Sequence, residues 1–283
     1  CRGNQKGAFD DMIFNRQDNV DYHIHTYYSD GRLSPAEVVT RFKNLGYESI
    51  AITDHDGVGG VAEGIAAGKK LGIEVVPGIE FSTRTAEENI GLHMLGYNID
   101  THNIPMLERI EDIRVWREER NDRIIRELAD MGYPLTRADL EMREGQDFIG
   151  KPIFARALVN KGYIDDVKEA FTEKVFKSQR LRAIKKEVIT TDEAMGLIRD
   201  AGGIPVLAHP GVARGLGEKG SDEFFDNMGR LIARLKSQGL EGIECYYPKH
   251  TEEEAQRFVS LAKKYNLKIT KGSDFHDPDL LEE

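Results

Sequence analysis

Cysteine is nearly absent: the chain holds only Cys1 and Cys245. Two residues so placed cannot build a disulfide framework, and their separation is not a zinc-finger spacing. The usage fits a reducing, cytoplasmic compartment. No apolar run reaches the roughly 18 residues of a membrane span, and no charged-then-apolar leader opens the chain. A leading Cys1 is also what a processed bacterial lipoprotein shows, so a lipid anchor there is the alternative, and a cropped chain shows it too. Excess positive charge is lacking: the formal net charge is −10. That argues against broad binding of long duplex nucleic acid. It leaves room for a local basic pocket, and part of the acidic excess can be metal ligands. There is no internal repeat and no low-complexity segment.

What is present reads as a large α/β domain with an insertion. The 283 residues are 40% hydrophobic and 31% charged, an ordinary globular balance. Residues 1–19 form a polar lead-in. "SPAEVVTRFKNLG" predicts a helix with Ser34 as N-cap, Pro35 at the first position, a Glu37 capping box and Gly46 as the stop. Its apolar face is Val38, Val39, Phe42 and Leu45. Strand and helix patterns then alternate through "SIAITDHD", "GVAEGIAAGKKLG", "IEVVPGIEFS" and "GLHMLGYNI", the signature of a mainly parallel sheet or barrel. From about Asp100 the pattern changes to a long charged helix over 105–130 and shorter helical pieces, read as an inserted helical subdomain over 101–188. Alternation resumes with a helix carrying a Thr190–Glu193 capping box, then "IPVLAHPG", "LEGIECYYP" and "LKITKGSDFH" as strands. The barrel domain is therefore 20–100 plus 189–283.

Polar residues collect at the strand ends: His23, His25 and Asp30; Asp54 and His55; Glu80; His93; His209; Asp274 and His276. Six of the eight histidines lie there, leaving only His102 and His250 outside. Ligands gather at the C-terminal ends of strands in α/β barrels. Residues i and i+2 of a strand share a face, so His23 and His25 can reach one ion together. Taken singly, each motif has a plain structural reading: a turn at "TDHDG", an edge carboxylate at Glu80, a turn at His209. Together they point to metal. Imidazole and carboxylate suit zinc, manganese or iron. The set is too large for one ion and fits two or three divalent ions. With ions about 3.5 to 4 Å apart, a bridging hydroxide can attack a phosphate ester while the metals hold the leaving oxygen.

"HIHTYYSDG", "AITDHD", "PGIEFS", "LHMLGY", "AHPG" and "GSDFH" resemble, in order and spacing, the polymerase-and-histidinol-phosphatase (PHP) family of metal-dependent phosphoesterases. The resemblance covers 20–100 and 189–277. "FARALVNKGY" and "GIECYYPKHT" further resemble its branch of nucleoside 3′,5′-bisphosphate phosphatases and 5′-to-3′ exoribonucleases acting on short RNA. The resemblance implies a distorted seven-stranded, TIM-like β/α barrel with a helical insertion. It also implies three ions: one on His23, His25, Glu80 and Asp274; a second sharing Glu80 and adding His93 and His209; a third on Asp30, His55 and His276. Asp54 is implied to orient a ligand histidine. The implied substrate is a small nucleotide phosphate monoester or the 5′ end of short RNA. Histidinol phosphate is the runner-up, and a noncatalytic accessory domain or a zinc-stabilised binding module the reading from another class. The chain departs from the branch at Ile153, where a histidine is usual, in "KSQRLRAIKKE", and in stopping soon after His276.

Two basic groups stand in the insertion. Arg114, Arg117, Arg120, Arg123 and Arg126 recur every three residues. The favoured reading is a solvated helix with pairs such as Glu119 with Arg123 and Asp122 with Arg126; the other is a basic stripe facing the metal cleft. Lys151, Arg156, Arg180 and Arg182 are the better candidates for gripping a second phosphate. Tyr246 and Tyr247 are read as filling the barrel rim, with stacking on a base as the alternative.

Overall fold

The structure, a computed structural model, describes residues 18–143, 146 and 148–276. Cys1, most of the lead-in and the chain after His276 lie outside the described residues. Strand β1 (Val20–Ile24) leads through helix α1 (Pro35–Asn44) to β2 (Ser49–Ile52), then α2 (Val61–Leu71), β3 (Glu74–Arg84) and β4 (Gly91–Tyr97). Helices α3 (Ile104–Asp130), α4 (Lys151–Asn160), α5 (Val167–Ala170) and α6 (Gln179–Ala183) follow. The chain then runs β5 (Ile189–Thr190), α7 (Thr191–Asp200), β6 (Ile204–Leu207), α8 (Asp222–Gln238), β7 (Gly242–Tyr246), α9 (Glu252–Lys264) and β8 (Lys268–Lys271).

Seven strands follow one another in the order β1-β2-β3-β4-β6-β7-β8, and β5 pairs with β3 outside that order. The ring is brought nearly to closure where the segment after β8 meets β1: His25 N donates to the Phe275 carbonyl (2.8 Å) and Phe275 N to the His23 carbonyl (3.2 Å). This is the α/β fold with a distorted seven-stranded barrel. Most neighbours are parallel, but β4 runs antiparallel to both β3 and β6. The reason is local. No helix separates β3 from β4, so the chain returns by a short connection, which only an antiparallel pair permits.

Local signals place the helices. At α1 both arms of the capping box form, Glu37 N to Ser34 Oγ (3.2 Å) and Ser34 N to Glu37 Oε2 (2.8 Å), and Gly46 follows with φ 86°. Val38, Val39 and Phe42 are fully buried, but Leu45 is 57% exposed: it is the C-cap residue, already leaving the helix. At α7, Thr190 accepts from Glu193 N (3.3 Å), whereas the Glu193 carboxylate pairs with Arg109 of α3 (2.7 Å). Tertiary contact there takes the second arm of the expected box. Between β4 and β5, α3 to α6 bury an apolar cluster of their own, including Ile124, Leu128, Phe154, Leu158 and Val175. Ile153 belongs to that cluster. Inside the barrel, Tyr22, Ala51, Val76, Leu95, Tyr97 and Val206 pack together.

Candidate metal centre and cleft

The expected ligands gather about Glu80. Its carboxylate is fully buried in the middle of β3, not at a strand end. Five imidazoles surround it: His93 Nδ1 and His209 Nε2 lie 3.0 Å from Oε1, and His23 Nε2 3.2 Å from it. His55 Nδ1 is 2.9 Å and His25 Nε2 3.3 Å from Oε2.

Backbone pairing explains the convergence. Beyond β2 the chain stays extended, with Glu80 N donating to the Asp54 carbonyl (3.2 Å) and Asp56 N to the Glu80 carbonyl (2.9 Å). That bridge sets His55 beside Glu80. Ala208 N donates to the His93 carbonyl (3.1 Å), which sets His209 beside His93. His93 stands near the start of β4 because that strand is antiparallel; the C-terminal-end rule used on the sequence fails here, as it does for Glu80 within β3. Backbone strain accompanies the site, with φ 25° at His209, 57° at Asp274 and 50° at Asp56. Non-glycine residues seldom hold such angles unless their surroundings impose them. Gly272 is required by close approach: a Cβ there would come 2.3 Å from both Glu244 Oε1 and His23 Cβ.

Three groups bring ligand atoms within 4.8 Å of one another: His23, His25, Glu80 and Asp274; His25, Asp30, His55 and His276; and His55, Glu80 and His93. The chemistry of the donors and their state both fit divalent cations. Asp30 Oδ1, His55 Nδ1 and Glu80 Oε2 are buried without a well-formed hydrogen bond, although His276 Nε2 is 3.1 Å from Asp30 Oδ1 and His55 Nδ1 2.9 Å from Glu80 Oε2. Polar atoms so buried are almost always satisfied, and cations between them would do it.

Electrostatics match. Burial alone would raise Glu80, but the charges of His23, His55 and His93 and the hydrogen bond from His209 hold it well below the usual carboxylate range. Burial opposes protonation of His25, yet hydrogen bonds to Asp274 and Glu80 and the charges of Glu80 and Asp30 carry it up to about 10. His23 is likewise raised well above its ordinary value, against burial, by Glu80, Glu244 and Asp274. His93 goes the other way, lowered by burial and by His55 and His209.

Around this set stand residues the sequence reading missed. Glu244 of β7 is fully buried, lies 3.0 Å from His23 Nδ1 and accepts from His209 N at 2.7 Å. A glutamate inside an apolar strand was the available signal, since a buried carboxylate needs partners. Asp21 Oδ1 accepts from His23 N (3.1 Å) and Ser273 N (2.9 Å), fastening β1 to the segment carrying Asp274. Asp54, expected to orient a ligand histidine, reaches one through Ser29. It accepts from Thr26 N (2.7 Å) and Ser29 Oγ (2.6 Å), and Ser29 Oγ is 3.4 Å from His25 Nδ1. Tyr247 is buried and donates to Asp274 Oδ2 (3.2 Å). Of the histidines set aside, His102 is exposed, and His250 is buried, accepting from Gly211 N (3.1 Å). Glu244→Gln keeps the volume but removes the charge behind His23. We expect it to weaken metal retention and turnover by about 10- to 100-fold, read from metal content after gel filtration and from kcat.

The site opens under the insertion into a cleft of about 340 Å³ lined by Asp30, His55, His93 and, from the insertion side, Arg117, Arg120 and Lys151. The favoured reading of the arginine stripe is thus corrected for two members. Arg117 is buried, pairs with Asp56 (2.6 Å) and stacks on Phe148 (3.7 Å). Arg120 is half-buried, and its Nε has no hydrogen-bond partner among the described residues. Arg114 and Arg123 pair on the surface with Glu111 and Glu187, and Asp122 pairs with Arg137. Lys186 adds a further ammonium, 2.6 Å from Ser82 Oγ and 3.7 Å from Asp56. Among the four residues proposed to grip phosphate, Lys151 lines the cleft; Arg156, Arg180 and Arg182 do not. Arg156 is exposed on α4. Arg180 pairs with Glu127, and Arg182 with Glu173 (2.8 Å); both are at least half exposed.

Comparison with known proteins agrees with this geometry. The PHP domain matches residues 21–275. The chain is 31% identical to a 3′,5′-nucleoside bisphosphate phosphatase of Chromobacterium violaceum, over 92% of this chain and 88% of that protein. It is 30% identical to a 5′-3′ exoribonuclease of Haemophilus influenzae, over 91% and 90%. Among solved structures, one assigned as a metal-dependent phosphoesterase of Bifidobacterium adolescentis superposes with a TM-score of 0.78 at 29% identity, over 92% of this chain and 88% of the other.

Proposed function

The chain belongs to the PHP family, and on that premise we propose that it cleaves the 3′ phosphate ester of a nucleotide that also carries a 5′-phosphate. The substrates are nucleoside 3′,5′-bisphosphates and the 5′ end of short RNA. Both reactions are one hydrolysis: water adds to phosphorus, the P–O3′ bond breaks, and the proton ends on O3′. A free phosphate leaves in the first case, and a shortened RNA bearing the phosphate in the second. Glu80 and the eight other expected residues are the proposed ligands, and two or three manganese, iron or zinc ions the proposed complement. Such ions, when bound, make water a nucleophile near neutral pH and neutralise charge on the phosphoryl oxygens. No helix among the described residues is long and apolar enough to cross a membrane.

One observation carries the substrate reading: the metal centre opens onto a cleft whose far wall holds Arg120, Lys151 and Lys186. Arg117 is spent on Asp56 and holds the insertion to the barrel. Arg120 keeps its guanidinium for a ligand, and burial together with the charges of Arg117 and Arg123 makes an anion welcome there. A 5′-phosphate in that place fixes the nucleoside while the 3′-phosphate sits at the metal centre. Arg120→Ala should therefore raise KM for a nucleoside bisphosphate roughly 10- to 100-fold, the worth of a charge-assisted hydrogen bond. It should leave p-nitrophenyl phosphate turnover within about twofold. Equal loss on both substrates would remove the grip from this arginine.

The reaction is tested by phosphate and mononucleotide release on adenosine 3′,5′-bisphosphate, a 5′-phosphorylated RNA trinucleotide and histidinol phosphate, with manganese added after chelation. Turnover of either of the first two bears out the proposal. Turnover of histidinol phosphate alone replaces it with the runner-up. Metal binding without turnover on any of the three would reduce the chain to a binding domain.

A further inference from the structure

A second and larger cavity, about 1200 Å³, opens from the same centre on its other side. It lies between the β3–β4 hairpin, the segment after β6 and helix α8. Ser82, His93 and Lys186 line both it and the cleft under the insertion, so the two spaces meet at the candidate metal site. A single bound nucleotide is a small ligand, and pockets for such ligands run from about 300 to 1000 Å³. The 340 Å³ cleft is of that order; a substrate ending at the metal centre leaves the larger cavity without a role.

Its walls are basic although the chain is acidic overall. Arg84, Arg214 and Arg230 line it without a carboxylate partner among the described residues. Arg84 donates to the Asn89 carbonyl (2.9 Å), Arg230 to the Asn227 side chain, and Arg214 to neither. The acidic residues of the rim, Glu87 and Glu88, are taken up by Arg234 (3.7 Å from Glu87). Between the arginines the lining includes Ile90, Leu92 and Leu231, and no Phe, Tyr or Trp is in it; its two rings, His93 and His209, face Glu80. Single-strand sites that hold bases stack them on aromatic rings. This one is equipped to hold a phosphate backbone instead.

We propose that this groove, through Arg84, Arg214 and Arg230, holds the phosphates on the 3′ side of the scissile bond when short RNA is the substrate, so that these arginines set the preference for RNA over a mononucleotide. The assignment rests on the proposed hydrolysis. In that reaction the released 5′-nucleotide occupies the cleft under the insertion. The phosphate and the chain attached through its O5′ remain in the groove. Recognition runs through successive phosphates, so it depends on salt and is indifferent to base identity.

The test compares the full chain with Arg214→Ala/Arg230→Ala, manganese-loaded, on adenosine 3′,5′-bisphosphate and on 5′-phosphorylated RNA of two to five nucleotides. Neither arginine touches the metal ligands, so bisphosphate turnover should stay within about twofold of the parent. On the pentanucleotide kcat/KM should fall tenfold or more, the deficit should grow from two to five nucleotides, and the steep loss between 50 and 200 mM salt should flatten. Unchanged pentanucleotide turnover, or an equal loss on both substrates, overturns the groove. A parent active on the bisphosphate alone also overturns it while the proposed hydrolysis stands. If the parent acts on neither, anisotropy of a labelled pentanucleotide decides separately. Binding lost in the double variant keeps the groove and discards the reaction; binding that is absent, or unaltered by the double substitution, overturns it.

Discussion

Glu80→Gln is expected to lower turnover by about a thousandfold or more and to strip metal from the protein, with the far-ultraviolet circular dichroism unchanged. The side chain is nearly isosteric, so packing of β3 is preserved. What changes is charge. Glu80 is the carboxylate at the centre of five imidazoles, all within 3.3 Å. An amide offers one neutral oxygen and turns an NH2 toward rings that need an acceptor or a shared cation. Losing the charge of a group proposed to serve more than one ion would remove several kcal/mol of electrostatic stabilisation, and about 4 kcal/mol corresponds to that thousandfold. Metal content by plasma emission and kcat on adenosine 3′,5′-bisphosphate are the readouts. Near-normal turnover with full metal content would sink the assignment of Glu80, and with it the arrangement around it.

The site was legible because its donors fall at a recurring place in a repeating unit. His23, His25, His55 and His209 each end a strand or follow one, and periodicity finds strands. Glu80 and His93 were found as residues but misplaced in the chain geometry. Glu80 is central in an eleven-residue strand, longer than its barrel portion, and His93 begins a strand that runs backwards. Direction is a tertiary property: a short connection and a long one leave similar apolar runs. The second layer was largely illegible. Glu244, Asp21 and Asp56 act through partners distant in sequence, such as His23, Ser273 and Arg117. The arginine stripe shows the same limit from the other side. Spacing of three put Arg117 and Arg120 on one face of α3, but only the docking of that helix over the barrel decided that this face looks into the cleft. Arg180 and Arg182 share the right segment and face away, held by acidic neighbours on the surface.

Removal of the ions should abolish turnover completely, and their return should release protons. In the ion-free chain His25 is held up at about 10 and His23 is raised well above its ordinary value by the carboxylates around them, which favours a proton on this pair at pH 7. A metal accepts only the neutral ring. Binding of manganese or zinc at pH 7 should thus expel protons, seen as a dependence of the calorimetric heat on the ionisation enthalpy of the buffer. Affinity should rise from pH 6 to pH 8; a pH-independent affinity with no proton release would mean that the histidines are not displaced from their carboxylates. Stability follows the same signs. Raised histidines stabilise the ion-free fold fully below the ordinary histidine range, and that contribution is lost as pH rises through about 10. Asp30 and Glu80, held low, contribute above the ordinary carboxylate range and lose their share as pH falls. Between these limits protons hold the buried carboxylates together in the ions' place. The melting temperature of the ion-free chain should accordingly fall between pH 7 and 10. The loaded chain, in which the cations neutralise the same carboxylates without a titrating proton, should hold its value.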